Sequence, residues 1–417
     1  MNRNSENKLD TKTLPSIPVF KDVGVIGIVP DKWGGPWQSR HHVLTRLAKY
    51  FNVVWINPAR NWHELWFHGS ISNQVLDRES VSIPGFIVYT PQMWLPQLYR
   101  PHFLARFTVQ QRLSWARHIL ITQGCRTIVL YLWRPEYRPA LKLLKHDLSC
   151  YHIDDEYSFS DSEQPIDQNE KELILLVNQV MIHSPALLEK KGKLNPFTTF
   201  IPNGVDYNAF ATSVSEPMDL RAIPHPRIGY VGIIKKQLDL TLLITLAQRH
   251  QEWSFVLVGP QGYLGEHAVL LQKLSHMPNV FFLGGKPVAM LPAYTQHLDV
   301  CMLCYEVNDY TKFIYPMKLH EYLASGRPVV GAPIRSLQEF AHIITLCETP
   351  DDWSSALAEA IAPMAQASAQ IEARRQVARQ YDWDRLVWRI AYTLCSRLGS
   401  IYLERFEQLP LTYVQGV

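Results

Sequence analysis

The chain has 417 residues, 47% of them apolar and 19% charged, with a formal net charge of +3. That length suits about two domains, each able to bury its own core without disulfide or metal staples, and it excludes disordered, collagen-like and small disulfide-scaffold classes. The near-neutral total hides an asymmetry: residues 1–150 carry 19 Lys and Arg against 9 Asp and Glu, or +10, while residues 151–417 carry 22 against 29, or −7. The two parts are expected to meet different partners.

The first twenty residues are polar and lack the apolar core of a signal peptide, and no apolar run reaches the roughly 18 residues needed to span a bilayer. The expectation is a cytoplasmic protein. VGVIGIVP (23–30) then reads as a buried strand, and SRHHVLTRLAKYF (39–51) as a helix through Val43, Leu44, Leu47 and Phe51. NVVWINP (52–58), GFIVYTP (85–91) and TIVLYLW (127–133) are further strands, and LILLVNQVMIHSP (173–185) passes from helix to strand. Short buried strands alternating with helices argue for a parallel sheet.

IPNGVDYNAF (201–210) reads as a boundary, because Asn203-Gly204 is a strong turn signal and a new alternation follows it. RIGYVG (227–232), WSFVLVGP (253–260), NVFFLGG (279–285), LDVCMLC (298–304) and RPVVGAP (327–333) are the strands of this second unit. LDLTLLITLAQRH (238–250), HAVLLQKLSH and PMKLHEYLASG (316–326) are its helices, and helical patterns run from Trp353 to about Leu403. Six scattered cysteines make no disulfide framework. Cys301 and Cys304 form a C-x-x-C, but they lie in a strand-like run that turns them to opposite faces, which favours core packing over redox or zinc chemistry.

The most informative segment is NDYTKFIYPMKLHEYLASGRPVVG (308–331). Pro316 suits a helix start and Gly326 its stop. The helix N-terminus offers unpaired N–H groups to a phosphate, which makes Lys318 in the first turn favourable where dipole arguments alone would not. Glu321, three residues on, shares that helix face and can accept hydrogen bonds from a ribose diol. A solvated Lys and Glu on an amphipathic helix is the plainer alternative.

This run, with IPNGVDYNAF, IGYVGIIKKQLD and FVLVGP, resembles the nucleotide-sugar half of GT-B glycosyltransferases of the group 1 type (family 4). The likeness covers roughly residues 180–340 and extends more weakly to WGGPWQSRHHVLTRLAKYFNVVWINP and YHIDDEYSFS. It implies an α/β GT-B architecture of two Rossmann-like doubly wound domains facing across a cleft. The expected organisation is a polar tail over 1–19, an acceptor domain over 20–200, a donor domain over 201–385, and a helical segment over 386–417 packing back on the first domain. The resemblance further implies a retaining transfer that needs neither metal nor cofactor beyond a nucleotide-diphosphate sugar, with Glu321 on the donor ribose. Two departures stand out. Phe313 occupies the position where the family often has the first Glu of its E-x7-E motif, and Gly232 is followed by Ile233, Ile234, Lys235 and Lys236 rather than by the usual Arg and Lys.

As charge builds on a departing diphosphate, cations aimed there stabilise the transition state more than the ground state. Lys235, Lys236 and Lys318 are the candidates, with Lys236, Lys318 and Asp154 assigned catalytic roles. Gly232, Lys235, Thr311, Pro316, Met317, Lys318 and Glu321 are assigned to donor binding. In the first half, Trp33-Gly34-Gly35-Pro36 leads into a helix carrying Arg40 and His41, and Gly34, Gly35, Arg40 and His41 are assigned to the acceptor. This is no G-x-G-x-x-G fingerprint, so a hydride-transferring dinucleotide enzyme is poorly supported. His152, Asp154, Asp155 and Glu156 follow an apolar stretch, where a carboxylate can orient sugar hydroxyls, act as a base, cap a helix or hold a metal.

Between Gln92 and Lys145 stand nine Lys and Arg against the single acid Glu136, and Trp94, Leu95, Leu98, Tyr99, Phe103, Leu104 and Phe107 alternate with Arg100, Arg106, Arg112 and Arg117. That mixture suits an anionic membrane surface, which would place the protein peripherally on the inner face, or a half-buried helix with solvated arginines. No nucleic-acid module is legible. The leading expectation is a hexosyltransferase acting on a glycan or lipid-linked acceptor. A GT-B nucleotide-sugar epimerase and a non-catalytic nucleotide-binding membrane protein are the alternatives.

Overall fold

The computed structural model describes residues 18–61 and 83–410, so nearly all of the expected polar tail lies outside the described residues. Seven parallel strands build the first sheet: β1 (Phe20–Ile28), β2 (Phe51–Ile56), β3 (Phe86–Tyr89), β4 (Thr127–Leu132), β5 (Leu148–Ile153), β6 (Gln179–Ile182) and β7 (Thr198–Phe200), in the order β3-β2-β1-β4-β5-β6-β7. Six build the second: β8 (Arg227–Val231), β9 (Ser254–Val258), β10 (Val280–Gly284), β11 (Val300–Leu303), β12 (Val329–Gly331) and β13 (Thr345–Leu346), in the order β10-β9-β8-β11-β12-β13. Every residue of β2, β5, β8 and β9 is buried, as a sheet covered by helices on both faces requires. Strand order reverses between β1 and β4 and again between β8 and β11, which opens a crevice at the carboxyl ends of each sheet.

Five helices position the site and join the two halves: α1 (Ser39–Leu47), α2 (His102–Thr122), α3 (Met317–Ala324), α4 (Trp383–Leu398) and α5 (Ser400–Glu407). The chain passes between the halves twice, and the two crossings pair. Val205 N–H donates to Tyr381 O at 3.0 Å, and Trp383 N–H donates to Val205 O at 2.9 Å. Gly204 permits this approach, because a Cβ there would stand 2.6 Å from Tyr381 O.

After the second crossing, α4 buries Trp383, Leu386, Val387, Ile390, Ala391, Leu394 and Cys395, a stripe at helical spacing. These residues join Val43, Leu44 and Leu47 of α1 in the core of the first sheet. Arg405 of α5 fixes the end with a two-pronged ion pair to Asp22 at 2.9 and 3.0 Å, which holds the Asp22 carboxyl below its usual range. Cys301 and Cys304 are buried free thiols, the latter pushed up to about 12 by burial. No helix among the described residues is long and apolar enough to cross a membrane.

Trp383 is 2% exposed and stacks on His42 at 5.2 Å. Removing so large a buried ring leaves a cavity, so Trp383→Ala should cost about 3 to 5 kcal/mol of stability. Denaturant titration followed by far-ultraviolet circular dichroism checks this.

Candidate active site

The site forms where α3 points its N-terminus at the crevice beside β8. Pro316 is the N-cap, so the helix starts at Met317, one residue later than expected from sequence, and no side chain caps the exposed N–H groups. Lys318 runs from the first turn across Gly232, just past the end of β8, so closely that any Cβ at Gly232 would overlap the lysine stem. Gly232 has φ of 152°, a conformation that side chains oppose. Gly259, also at 152°, backs it so tightly that a Cβ there would overlap the Gly232 carbonyl.

Lys318 and Glu321 are half-buried and face one charge environment. Burial lowers the Lys318 ammonium from its ordinary value; Glu321 opposes that shift and Lys235 adds to it. Burial likewise raises Glu321, partly offset by Lys318. Lys235 is lowered by burial and supported by Asp155 from the first sheet. Two cations and one carboxylate at an uncapped helix N-terminus form an anion site whose positive charge exceeds its internal compensation.

The opposite wall carries Asp155, whose Oδ1 accepts from Tyr310 Oη at 3.1 Å across the cleft. Phe159 and Tyr310 meet edge to face at 5.1 Å, and Lys312 pairs with Glu163 at 2.5 Å. Phe313 is 3% exposed and inserts into an apolar cluster of the first sheet, with the Lys190 ammonium 5.3 Å from its ring centre. The residue in place of a first carboxylate thus docks one domain on the other.

Several assigned residues sit elsewhere. Asp154 is not free to act as a base, because it accepts from Arg40 Nη1 at 2.6 Å and from the Tyr157 hydroxyl. Arg40 is spent on Asp154 and Asp31, so it does not present a cation to an acceptor. His41 is fully buried between Trp33, Trp37 and Trp55, its Nδ1 accepts from Gln38 N–H at 3.1 Å, and burial lowers its pKa to about 4.

Lys236 is exposed and leans over the Tyr263 ring at 5.9 Å, which leaves Lys235 as the inward lysine. Thr311 is buried with its hydroxyl used by the Asn308 backbone, and the Met317 side chain packs against the core of the first sheet. Gly34 and Gly35 do form an exposed turn, Gly34 with φ of 83° and open space around it, closed by Gly35 N–H on Lys32 O at 3.2 Å. Arg134, which stands 4.8 Å over the Tyr157 ring, carried no assignment, and Asp155, read from sequence only as one of four clustered candidates, is the carboxylate of this wall that reaches the cleft. Only the bulk of Tyr157 and Arg40 closing around Asp154 separates the two aspartates, and nothing in DDEY announces it.

A family model described as glycosyl transferases group 1 matches residues 225–366. The putative teichuronic acid biosynthesis glycosyltransferase TuaH of Bacillus subtilis (strain 168) is 30% identical over 192 residues, 44% of this chain and 47% of that protein. The matched stretch therefore spans about half the length of that curated relative. Anabaena HepE, solved with UDP and glucose, superposes with a TM-score of 0.65 at 18% identity, covering 89% of this chain and 99% of that one. Sucrose-phosphate synthase from Thermosynechococcus elongatus does so with 0.66 at 16% identity, covering 89% and 98%. Residues 225–366 thus match the group 1 glycosyltransferases, within a chain that has the GT-B fold of these solved structures.

In the matched stretch, a Gly232→Ala substitution should displace Lys318 and weaken nucleotide diphosphate binding as much as loss of the lysine does, with the fold retained. The charges also set a pH window. As pH falls, a raised Glu321 takes up its proton and stops accepting from a diol while still above the usual carboxylate range. As pH rises, a lowered Lys318 loses its charge before the usual lysine range is reached. Affinity should therefore fall at both ends of a pH window narrower than the ordinary carboxylate-to-lysine interval. A bound diphosphate favours charged Lys318, so binding on the alkaline side should take up protons. Calorimetric titration in two buffers of different ionisation heat measures this.

Proposed function

We propose that the chain moves a sugar from a nucleotide diphosphate donor to a glycan or lipid-linked acceptor, retaining the anomeric configuration and using no metal or further cofactor. The observation that carries this reading is Lys318 laid over Gly232 at the open N-terminus of α3, with Lys235 and Glu321 in the same field. A diphosphate seated there meets the N–H groups of α3, Lys318 and Lys235, and these gain most as the bond to the sugar breaks and charge moves onto the phosphate. Glu321 would accept from the ribose diol.

Asp155 and Arg134 on the facing wall are the groups that would orient acceptor hydroxyls. The solved relative with UDP and glucose and the relative named for teichuronic acid biosynthesis support a nucleotide sugar and an envelope glycan as the substrate classes. The reading places the enzyme on the cytoplasmic face of a membrane. Supporting that are Trp94, Tyr99, Phe103 and Phe107, which are 61%, 71%, 70% and 51% exposed beside the exposed Arg100 and Arg106.

Lys318→Ala and Glu321→Ala should each weaken nucleotide binding roughly ten- to a hundredfold, the value of one lost charge-assisted hydrogen bond, without lowering the melting temperature. A thermal-shift series with UDP, GDP and ADP followed by donor-consumption assays tests both points; wild-type affinity in both variants would defeat the site. Phe313 in place of a carboxylate favours a second reading, nucleotide binding without transfer. That reading predicts affinity for a nucleotide and no consumption of its sugar with any acceptor pool.

A further inference from the structure

A cavity of about 390 Å³ opens at the carboxyl ends of β1 and β2, with apolar walls from Ile28, Val29, Ile56 and Leu113. Arg112 of α2 lines it. On sequence grounds this arginine belongs to a basic membrane-facing surface, but it is 7% exposed and turned inward. Its Nε donates to Thr108 O at 3.2 Å and its Nη1 to Gln97 Oε1 at 3.0 Å. Among the described residues Nη2 has no hydrogen-bond partner and no carboxylate pairs with the guanidinium; Glu136, also on the cavity, is exposed and forms no ion pair with it. Burial lowers the Arg112 pKa, opposed only by the neighbouring Tyr89 and Tyr137.

A guanidinium this deep is normally paired, because an uncompensated buried charge is strongly unfavourable. A cavity of this size, apolar apart from a few convergent polar groups, is also what a small-molecule site offers. A ligand anion would supply the missing counter-charge, and a phosphate oxygen matches the free edge of the fork.

The surroundings say where that phosphate comes from. Tyr99 lines the cavity and is 71% exposed, and it leads directly into the start of α2, where Phe103 and Phe107 face outward. No Asp or Glu occurs from residue 92 to residue 135. We propose that this cavity is the phosphate subsite for a lipid-linked acceptor, with Arg112 holding the phosphate while the lipid chain leaves past Tyr99 into the membrane on which α2 rests. This rests on the transferase reading and names the acceptor class for it. Tyr137 on the cavity wall also feels the charges of Arg134, Arg40 and Asp31, so the subsite borders the polar wall that faces the donor.

The test uses the full chain in vesicle flotation. Phosphatidylcholine vesicles carry a polyprenyl phosphate, the same polyprenol without phosphate, or phosphatidylglycerol at matched charge. The wild type should bind the polyprenyl phosphate vesicles about tenfold more tightly than the charge-matched ones, the value of one charge-assisted hydrogen bond. Arg112→Gln should erase that difference and Arg112→Lys should keep part of it, while Phe103→Ser with Phe107→Ser should weaken binding to every composition.

Equal wild-type binding to the two anionic compositions overturns the proposal without reference to any variant, as does an Arg112→Gln profile matching the wild type. Complete displacement from polyprenyl phosphate by glucose 6-phosphate at equal concentration overturns the lipid source in favour of a soluble phosphate. Donor consumption is followed in parallel. Phosphate-selective vesicle binding with no nucleotide sugar consumed removes the transferase reading and leaves the subsite; consumption without selectivity does the reverse.

Discussion

The second domain depends on one close contact, the passage of the Lys318 stem over the bare backbone of Gly232. A lysine in the first turn of a helix opposes the helix dipole, and burial further disfavours its charge. Both penalties persist in the free protein because the geometry leaves the ammonium no full counter-ion within the domain, only the shared field of Glu321. The same features become favourable once an anion occupies the helix N-terminus. Gly259 behind Gly232 leaves the turn no room to retreat, so the lysine position is set by backbone rather than by a neighbouring side chain.

The facing wall is positioned by contacts that run between the two sheets. The paired crossings at Val205 and Trp383 fix where the halves meet, and α4 then returns to complete the core of the first. On the other side of the cleft, Tyr310, Lys312 and Phe313 reach over to Asp155, Glu163 and the cluster beneath Lys190. A buried network of Lys191 with Glu156 and Glu170 holds the loop that carries Asp155. Phe313 therefore serves the interface, and the cations left beside the N-terminus of α3 are Lys235 and Lys318.

Much of the fold was legible because its strands are buried on both faces and so appear as unbroken apolar runs. VGVIGIVP, TIVLYLW and WSFVLVGP fall within a few residues of β1, β4 and β9. The short outer strands β7 and β13 escaped notice, since TTF and TL are partly solvated and carry too little apolar signal. The site was legible as a neighbourhood rather than residue by residue. Lys235 and Lys236 are adjacent in sequence, and so are Asp154 and Asp155, yet in each pair one faces the cleft and the other is engaged elsewhere. Arg112 looked like one of several surface arginines until the rotation of α2 turned it inward.

The sequence by itself determined the two parallel sheets, the turn at Gly204, and the α3 segment with Lys318 and Glu321 on one face. Each of these comes from local rules, namely apolar runs, turn chemistry and helical spacing, that act over a few residues. Tertiary structure alone decided which member of each charged pair faces the cleft, that Thr311 and Met317 face inward, and that an unpaired arginine lies in a cavity of the first domain. Those outcomes depend on what the opposing element leaves unsatisfied. A side chain's charge is written in the chain, but its counter-charge is supplied by residues a hundred positions away, as Arg40 and Asp154 show.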